Sequence, residues 1–141
     1  MGKLKRRDKR GQTAAGLVGS LEYAALCALW EQAPANVNAV LDRINHGRKR
    51  EDRLAYTTVM TVLARLYEKG ILDRVKAGRG YDYTPRFDEA ALIRHLGQQE
   101  VTGLVDRYGA VALAHFAAAL EDADPVTRRR IAEAMAEAGD A

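Results

Sequence analysis

The stretch LAYTTVMTVLARLYEKG, residues 54–70, is a regular helix on one side and an unusual one on the other. Val59, Val62, Leu63 and Leu66 recur at intervals of three and four, which predicts a helix with one buried face. Gly70, after Glu68-Lys69, suits the C′ position that ends such a helix. Off the stripe lie Thr57, Thr58, Met60, Thr61 and Arg65, gathered toward the N-terminal end behind Tyr56. Threonine is β-branched and a mediocre helix former. A helix selected for stability alone would carry Glu, Ala or Lys on an exposed first turn. These side chains are placed to touch something outside the helix.

Working outward, 71-ILDRV-75 predicts a short strand, 77-AGRG-80 a turn and 81-YDYTP-85 a second strand. Alternation puts Tyr81 and Tyr83 on one face. Upstream, 20-SLEYAALCALWEQ-32 predicts a helix with Ser20 as N-cap and Glu22 in its first turn. Leu21, Ala25, Leu26, Leu29 and Trp30 form its apolar stripe, and Pro34 ends it. A shorter helix over Val37–Asn45 buries Val37, Val40, Leu41 and Ile44, and 46-HGRKREDR-53 is a polar loop of mixed charge. Three helices and then a hairpin is the order of a winged helix-turn-helix. In that fold the third helix enters the DNA major groove, N-terminal end first, and the hairpin rests on the backbone. Threonine offers a hydroxyl to phosphates or base edges and a methyl group to the thymine methyl. The first turn adds free backbone N–H groups and a positive dipole end.

The charge distribution agrees. Residues 1–86 hold 17 Lys+Arg against 9 Asp+Glu, net +8, and residues 87–141 hold 5 against 10, net −5. A basic first part points to a polyanion, although solvated charges also cluster by chance. Residues 1–16 read as a basic flexible tail, able to lie along phosphates or to serve as a solubilising leader. No apolar run approaches the roughly 18 residues of a membrane span, so no membrane insertion is expected. No apolar stretch follows the basic start, as it would in a secretory signal. The single cysteine, Cys27, can form neither an internal disulfide nor a multi-thiolate metal site. A cytoplasmic location is the expectation.

From Phe87 the character changes. Residues 88–107 predict an amphipathic helix with Leu92, Ile93, Leu96, Val101, Leu104 and Val105 on its apolar side. Gly97 and Gly103 weaken it and allow a bend. Residues 110–120, AVALAHFAAAL, predict another helix, and Asp124-Pro125 opens a third with Asp124 as N-cap and Pro125 at N1. Three small helices poor in aromatics enclose little core, so a homodimer that buries their apolar faces is expected. The expected fold is mainly α with a small β-hairpin: tail 1–16, winged-helix DNA-binding domain 17–86, helical dimerisation domain 87–141.

The strings LEYAALCALW, LAYTTVMTVLARLYEKGIL and GRGYDYTP resemble the penicillinase-repressor family, BlaI/MecI. The resemblance covers roughly residues 17–137 and is most specific in the third helix and wing; a winged-helix pattern alone is shared by many regulators. It implies a dimeric transcriptional repressor on an inverted-repeat operator in double-stranded DNA, often with TACA and TGTA half-sites. It also implies that a membrane-bound metalloprotease sensor detects β-lactam and that the repressor is cut in its dimerisation helices. The weakened dimer then loses two-site avidity. Carried over by position, Thr57, Thr58 and Thr61 are the base or phosphate contacts, flanked by Tyr56 and Met60. Arg65 meets phosphate or forms a surface ion pair. Lys76 and Arg79 meet backbone phosphate, which supplies affinity and register, not sequence choice. Tyr81 and Tyr83 pack the wing. Two departures stand out. The family cleavage pair Asn-Phe reads His115-Phe116 here, and Phe116 also suits a dimer interface. The C-terminal Cys-x-Cys pairs of the copper-responsive branch are missing, which argues against copper sensing by that chemistry.

His46, His95 and His115 are scattered, and a lone histidine more often packs than ligates. HExxH and phosphate-binding glycine loops are lacking; Gly78-Arg79-Gly80 reads as a hairpin turn and Trp30 as core. No motif supports an enzyme, and no cofactor or metal is implied. Two other readings stay open. One is an adaptor whose winged helix binds a protein, against which the basic half and exposed threonines weigh. The other is a ligand-responsive repressor of the MarR type, which needs a pocket between dimerisation and DNA-binding regions.

Overall fold

The computed structural model describes residues 13–139; the expected tail lies, through residue 12, outside the described residues. The order is α1 (Ser20–Glu31), α2 (Val37–Asn45), α3 (Tyr56–Glu68), β1 (Leu72–Ala77), β2 (Gly80–Pro85), α4 (Glu89–Tyr108), α5 (Ala110–Asp122) and α6 (Pro125–Gly139). Single 3-10 turns occur at Ala14–Gly16 and Arg50–Asp52. Two compact units divide the chain, the first ending at Gly97 and the second beginning at Gln98.

In the first unit α1 begins one residue earlier than expected. Gly19 is the N-cap, without a side-chain bond, and Ser20 is already helical. In α2 the Asn36 side chain supplies the cap, its Oδ1 accepting from the Ala39 N–H at 2.9 Å. Helix α3 ends in a two-bond Schellman cap. The Ile71 N–H donates to the Leu66 carbonyl and the Gly70 N–H to the Tyr67 carbonyl, each at 3.0 Å. Gly70 has φ +78°, a conformation that an L side chain resists. The core is the expected stripe of α3, Val59, Val62, Leu63 and Leu66, closed by Leu26 and Leu29 of α1 and Val40 of α2. Leu92 of α4 is fully buried in the same core, so the start of α4 belongs to this unit.

The hairpin is antiparallel, with Leu72 opposite Pro85, Arg74 opposite Tyr83, Lys76 opposite Tyr81 and Ala77 opposite Gly80. Its loop is only Gly78-Arg79, so Ala77 and Gly80, expected in the turn, are strand residues. Gly78 at φ +61° supplies the positive φ that a two-residue hairpin turn demands. Tyr83 is buried and exchanges both backbone hydrogen bonds with Ala35, at 2.9 and 3.1 Å, which ties β2 to the segment between α1 and α2.

The second unit holds the end of α4, then α5 and α6. Asp124 caps α6 as expected, its Oδ1 accepting from the Thr127 N–H at 2.7 Å, with Pro125 as the first helical residue. The hydrogen bonds from Thr127 hold the Asp124 carboxyl below its usual range. Among the described residues of this unit Ala112 is the buried apolar one, whereas Tyr108, Val111, Leu113, Phe116, Leu120 and Met135 are exposed.

Candidate nucleic-acid interface

Helix α3 opens at Ala55 without a capping side chain and without an acid in its first turn. Neither a capping side chain nor a first-turn acid compensates its positive dipole end, an arrangement that favours an anion. Tyr56 and Met60 are 44% and 42% exposed. Thr57, Thr61 and Arg65, four residues apart, form an exposed polar row beside them. Thr58 is half-buried on the shoulder between that row and the core stripe, so its hydroxyl is less available than those of Thr57 and Thr61. The structure thus brings Tyr56, Thr57, Met60, Thr61 and Arg65 onto one open face. Lys76 and Arg79 sit apart from it, exposed on the outer half of the wing, Arg79 in the two-residue turn.

The approach to α3 is held by a clasp that no local pattern announces. Asn45, the last residue of α2, accepts from the Leu54 N–H at 2.8 Å and donates its amide to the Leu54 carbonyl at 3.1 Å. This double bond fixes the chain one residue before the α3 N-cap. The loop it closes carries Arg48, Lys49, Arg50 and Arg53, the last three exposed. Reading that loop as mixed charge missed its position, since it feeds directly into the open end of α3. At the other end Lys69 Nζ pairs with Glu22 of α1 at 2.9 Å, an ion pair at the surface.

A second group missed from the sequence is Arg74. Its guanidinium carbon lies 3.9 Å from the ring centroids of both Tyr67 and Tyr81. A third is Glu89, which is 5% exposed. Its Oε2 accepts from the Ala14 N–H at 2.7 Å and from the Tyr23 hydroxyl at 3.1 Å. Burial, with Cys27 and Glu89 adding to it, pushes the Tyr23 hydroxyl up, so it keeps its proton as donor. Trp30, expected as core, is half-buried, and its Nε1–H donates to the Phe87 carbonyl at 2.9 Å.

His115 and Phe116 lie mid-way along α5. With Leu104, Tyr108, Val111 and Ala112 they line an open apolar depression of about 430 Å³ within the second unit. Among the described residues no cluster of three or more His, Cys, Asp or Glu side chains could hold a metal ion, and no helix is long and apolar enough to cross a membrane.

Three helices, an exposed third helix and a hairpin wing define a winged helix-turn-helix protein with a helical C-terminal extension. Residues 18–137 match the family described as Penicillinase repressor. The chain belongs to that family, which consists of transcriptional regulators and not of enzymes. It is 32% identical over 120 residues to a transcriptional regulator BlaI of Mycobacterium tuberculosis, covering 82% of this chain and 83% of that protein. It is 29% identical over 76 residues to a penicillinase repressor of Bacillus licheniformis, covering 54% and 56%. A solution structure of the monomeric form of Bacillus licheniformis BlaI in complex with the blaP half-operator aligns at TM-score 0.42 and 28% identity, over 52% of this chain and 85% of that one.

Proposed function

We propose that this chain is a dimeric repressor of an inverted-repeat operator with TACA/TGTA-like half-sites. The first unit reads DNA: the N-terminal half of α3 enters the major groove with Tyr56, Thr57, Thr58, Met60 and Thr61, while Arg65 and the wing residues Lys76 and Arg79 hold phosphate. The observation that carries this reading is the uncapped, acid-free N-terminus of α3, with exposed threonines along one row, on the half of the chain that carries net +8. Membership in a repressor family supports it.

The second unit holds two copies together. What supports this is its surface: a unit with so little of its own apolar area buried gains by covering Val111, Leu113, Phe116 and Leu120 with a partner. The resemblance also assigns relief of repression to a membrane metalloprotease sensor and to cleavage at the pair His115-Phe116. Phe116 is exposed, but both residues are helical, so cleavage there requires α5 to open locally.

The test is fluorescence anisotropy of a labelled duplex carrying the inverted repeat, against a scrambled duplex, across a salt series. The expected result is tight, sequence-dependent binding at two protomers per site. Weak binding, equal on both duplexes and abolished by modest salt, would overturn the reading in favour of a protein-binding adaptor.

A further inference from the structure

The wing is thinly attached to the helices that carry it. Its inner end is fixed by buried Leu72 and Tyr83 and by the paired backbone bonds between Ala35 and Tyr83. From Val75 to Gly80 every residue is exposed. A two-stranded ribbon alone is marginal in water, so the outermost tertiary contact decides how firmly the tip is aimed.

That contact is made by Tyr81, which packs against the core, together with Arg74 over its ring. In the register Arg74 stands opposite Tyr83 and diagonal to Tyr81, and alternation puts Arg74, Lys76, Tyr81 and Tyr83 on one face of the ribbon. The guanidinium lies between the ring of Tyr81 in β2 and the ring of Tyr67 in α3, 3.9 Å from each centroid, well inside the roughly 6 Å limit for a cation over a ring. A single planar group thereby joins α3, β1 and β2. Only Arg can lie flat against two rings at once; a lysine ammonium is a point charge and cannot. Lys76 is two residues further along the same strand, and Arg79 is at the tip.

We infer that Arg74 is a positioning residue for DNA binding: clamped between Tyr67 and Tyr81, it sets the angle of the wing against α3 so that Lys76 and Arg79 reach phosphate. The inference rests on the DNA-binding reading above. It makes the simultaneous contact with both rings, and not the positive charge alone, the feature that matters.

The experiment is operator affinity across a salt series for the full chain, Arg74→Lys, the pair Lys76→Ala/Arg79→Ala, and the triple variant. Tyr67→Phe and Tyr67→Leu are measured alongside. Arg74→Lys keeps the charge and loses the planar stack. It is expected to weaken binding roughly tenfold and to flatten the salt slope by up to about two units, as removing both wing contacts does. Added to the Lys76/Arg79 pair, it is expected to change nothing further, because the contacts it aims are already gone. Tyr67→Phe keeps the ring and should bind as wild type, while Tyr67→Leu should behave as Arg74→Lys. Wild-type affinity and slope in Arg74→Lys would overturn the inference, and so would an equal loss with and without Lys76 and Arg79. Failure of the unmodified chain to bind the operator would overturn the DNA reading itself, which separates the two failures.

Discussion

Glu89 at the start of α4 accepts a hydrogen bond from the backbone N–H of Ala14 across 75 positions of sequence, at 2.7 Å. The same oxygen accepts from the Tyr23 hydroxyl, so one carboxylate joins the first described turn, α1 and α4. Glu89→Ala would leave two donors without their acceptor in a buried place. The expected loss of stability is about 2–4 kcal/mol. Its other oxygen, Oε1, is buried without a protein partner, which moderates the figure, since its burial cost disappears in the variant. Urea unfolding monitored by circular dichroism measures the change, and a loss under about 0.5 kcal/mol would show that the clasp contributes nothing net.

Leu92 and Glu89 also decide where the first unit can be cut. A fragment ending at residue 97 retains both and is expected to unfold cooperatively. A fragment ending at residue 87 loses a fully buried leucine, for which truncation to alanine alone costs about 2–5 kcal/mol, together with the Glu89 clasp. Thermal scans of the two fragments compare them. Equal midpoints would mean that the start of α4 adds nothing to this core.

Asn45→Ala removes both bonds to Leu54. We expect a loss of about 1–3 kcal/mol in stability from the orphaned half-buried groups. The α3 entry should also loosen, so operator affinity should fall more than affinity for random DNA. Paired anisotropy titrations on the two duplexes check this; a proportional fall in both would remove Asn45 from any part in orienting α3.

Among the threonines, Thr57→Ala and Thr61→Ala alter exposed side chains, and Thr58→Ala a half-buried one. A threonine that reads a base edge should cost about 1–3 kcal/mol of operator binding on truncation and leave nonspecific binding intact. A threonine on phosphate should weaken both. Titration of each variant against operator and scrambled duplex assigns the roles one by one, and a variant that changes neither is struck from the interface.

Strong acid should fray the start of α6. The Asp124 carboxyl is held below its ordinary value of 3.8 by hydrogen bonds from Thr127. A depressed folded value means that its contribution is fully present above the ordinary range and is lost as pH falls through the lowered one. Asp124→Asn, an equally good cap without the titration, should keep its helical signal where wild type loses some. Superimposable acid transitions for the two proteins would remove Asp124 as the cause.

Local patterns were the readable part of this chain. The span Val37–Asn45 has the ends its pattern predicts because apolar spacing and flanking polar residues coincide there. The buried stripe of α3 followed from intervals of three and four. The pattern places the cap at Ser20, one position late, because glycine and serine both suit a cap and no side-chain bond marks the choice. The pattern makes the wing turn two residues too long, since alternation continues into Ala77 and Gly80 without a signal of where pairing stops. Arg74 between two tyrosines was half legible. Strand alternation puts it on the Tyr81 face, but the approach of Tyr67 depends on how α3 packs. Glu89 with Ala14, and Asn45 with Leu54, join positions that share no period, and only the folded chain brings them together.

The only tryptophan of the chain, Trp30, donates its indole N–H to the carbonyl of Phe87, immediately ahead of α4. Indole emission shifts with the polarity and hydrogen bonding around the ring. The protein therefore carries an intrinsic optical probe at the root of its long fourth helix. Detachment of that root from α1 would change the colour of emitted light, whereas events confined to the wing tip would leave it unchanged, with no dye attached and no residue replaced.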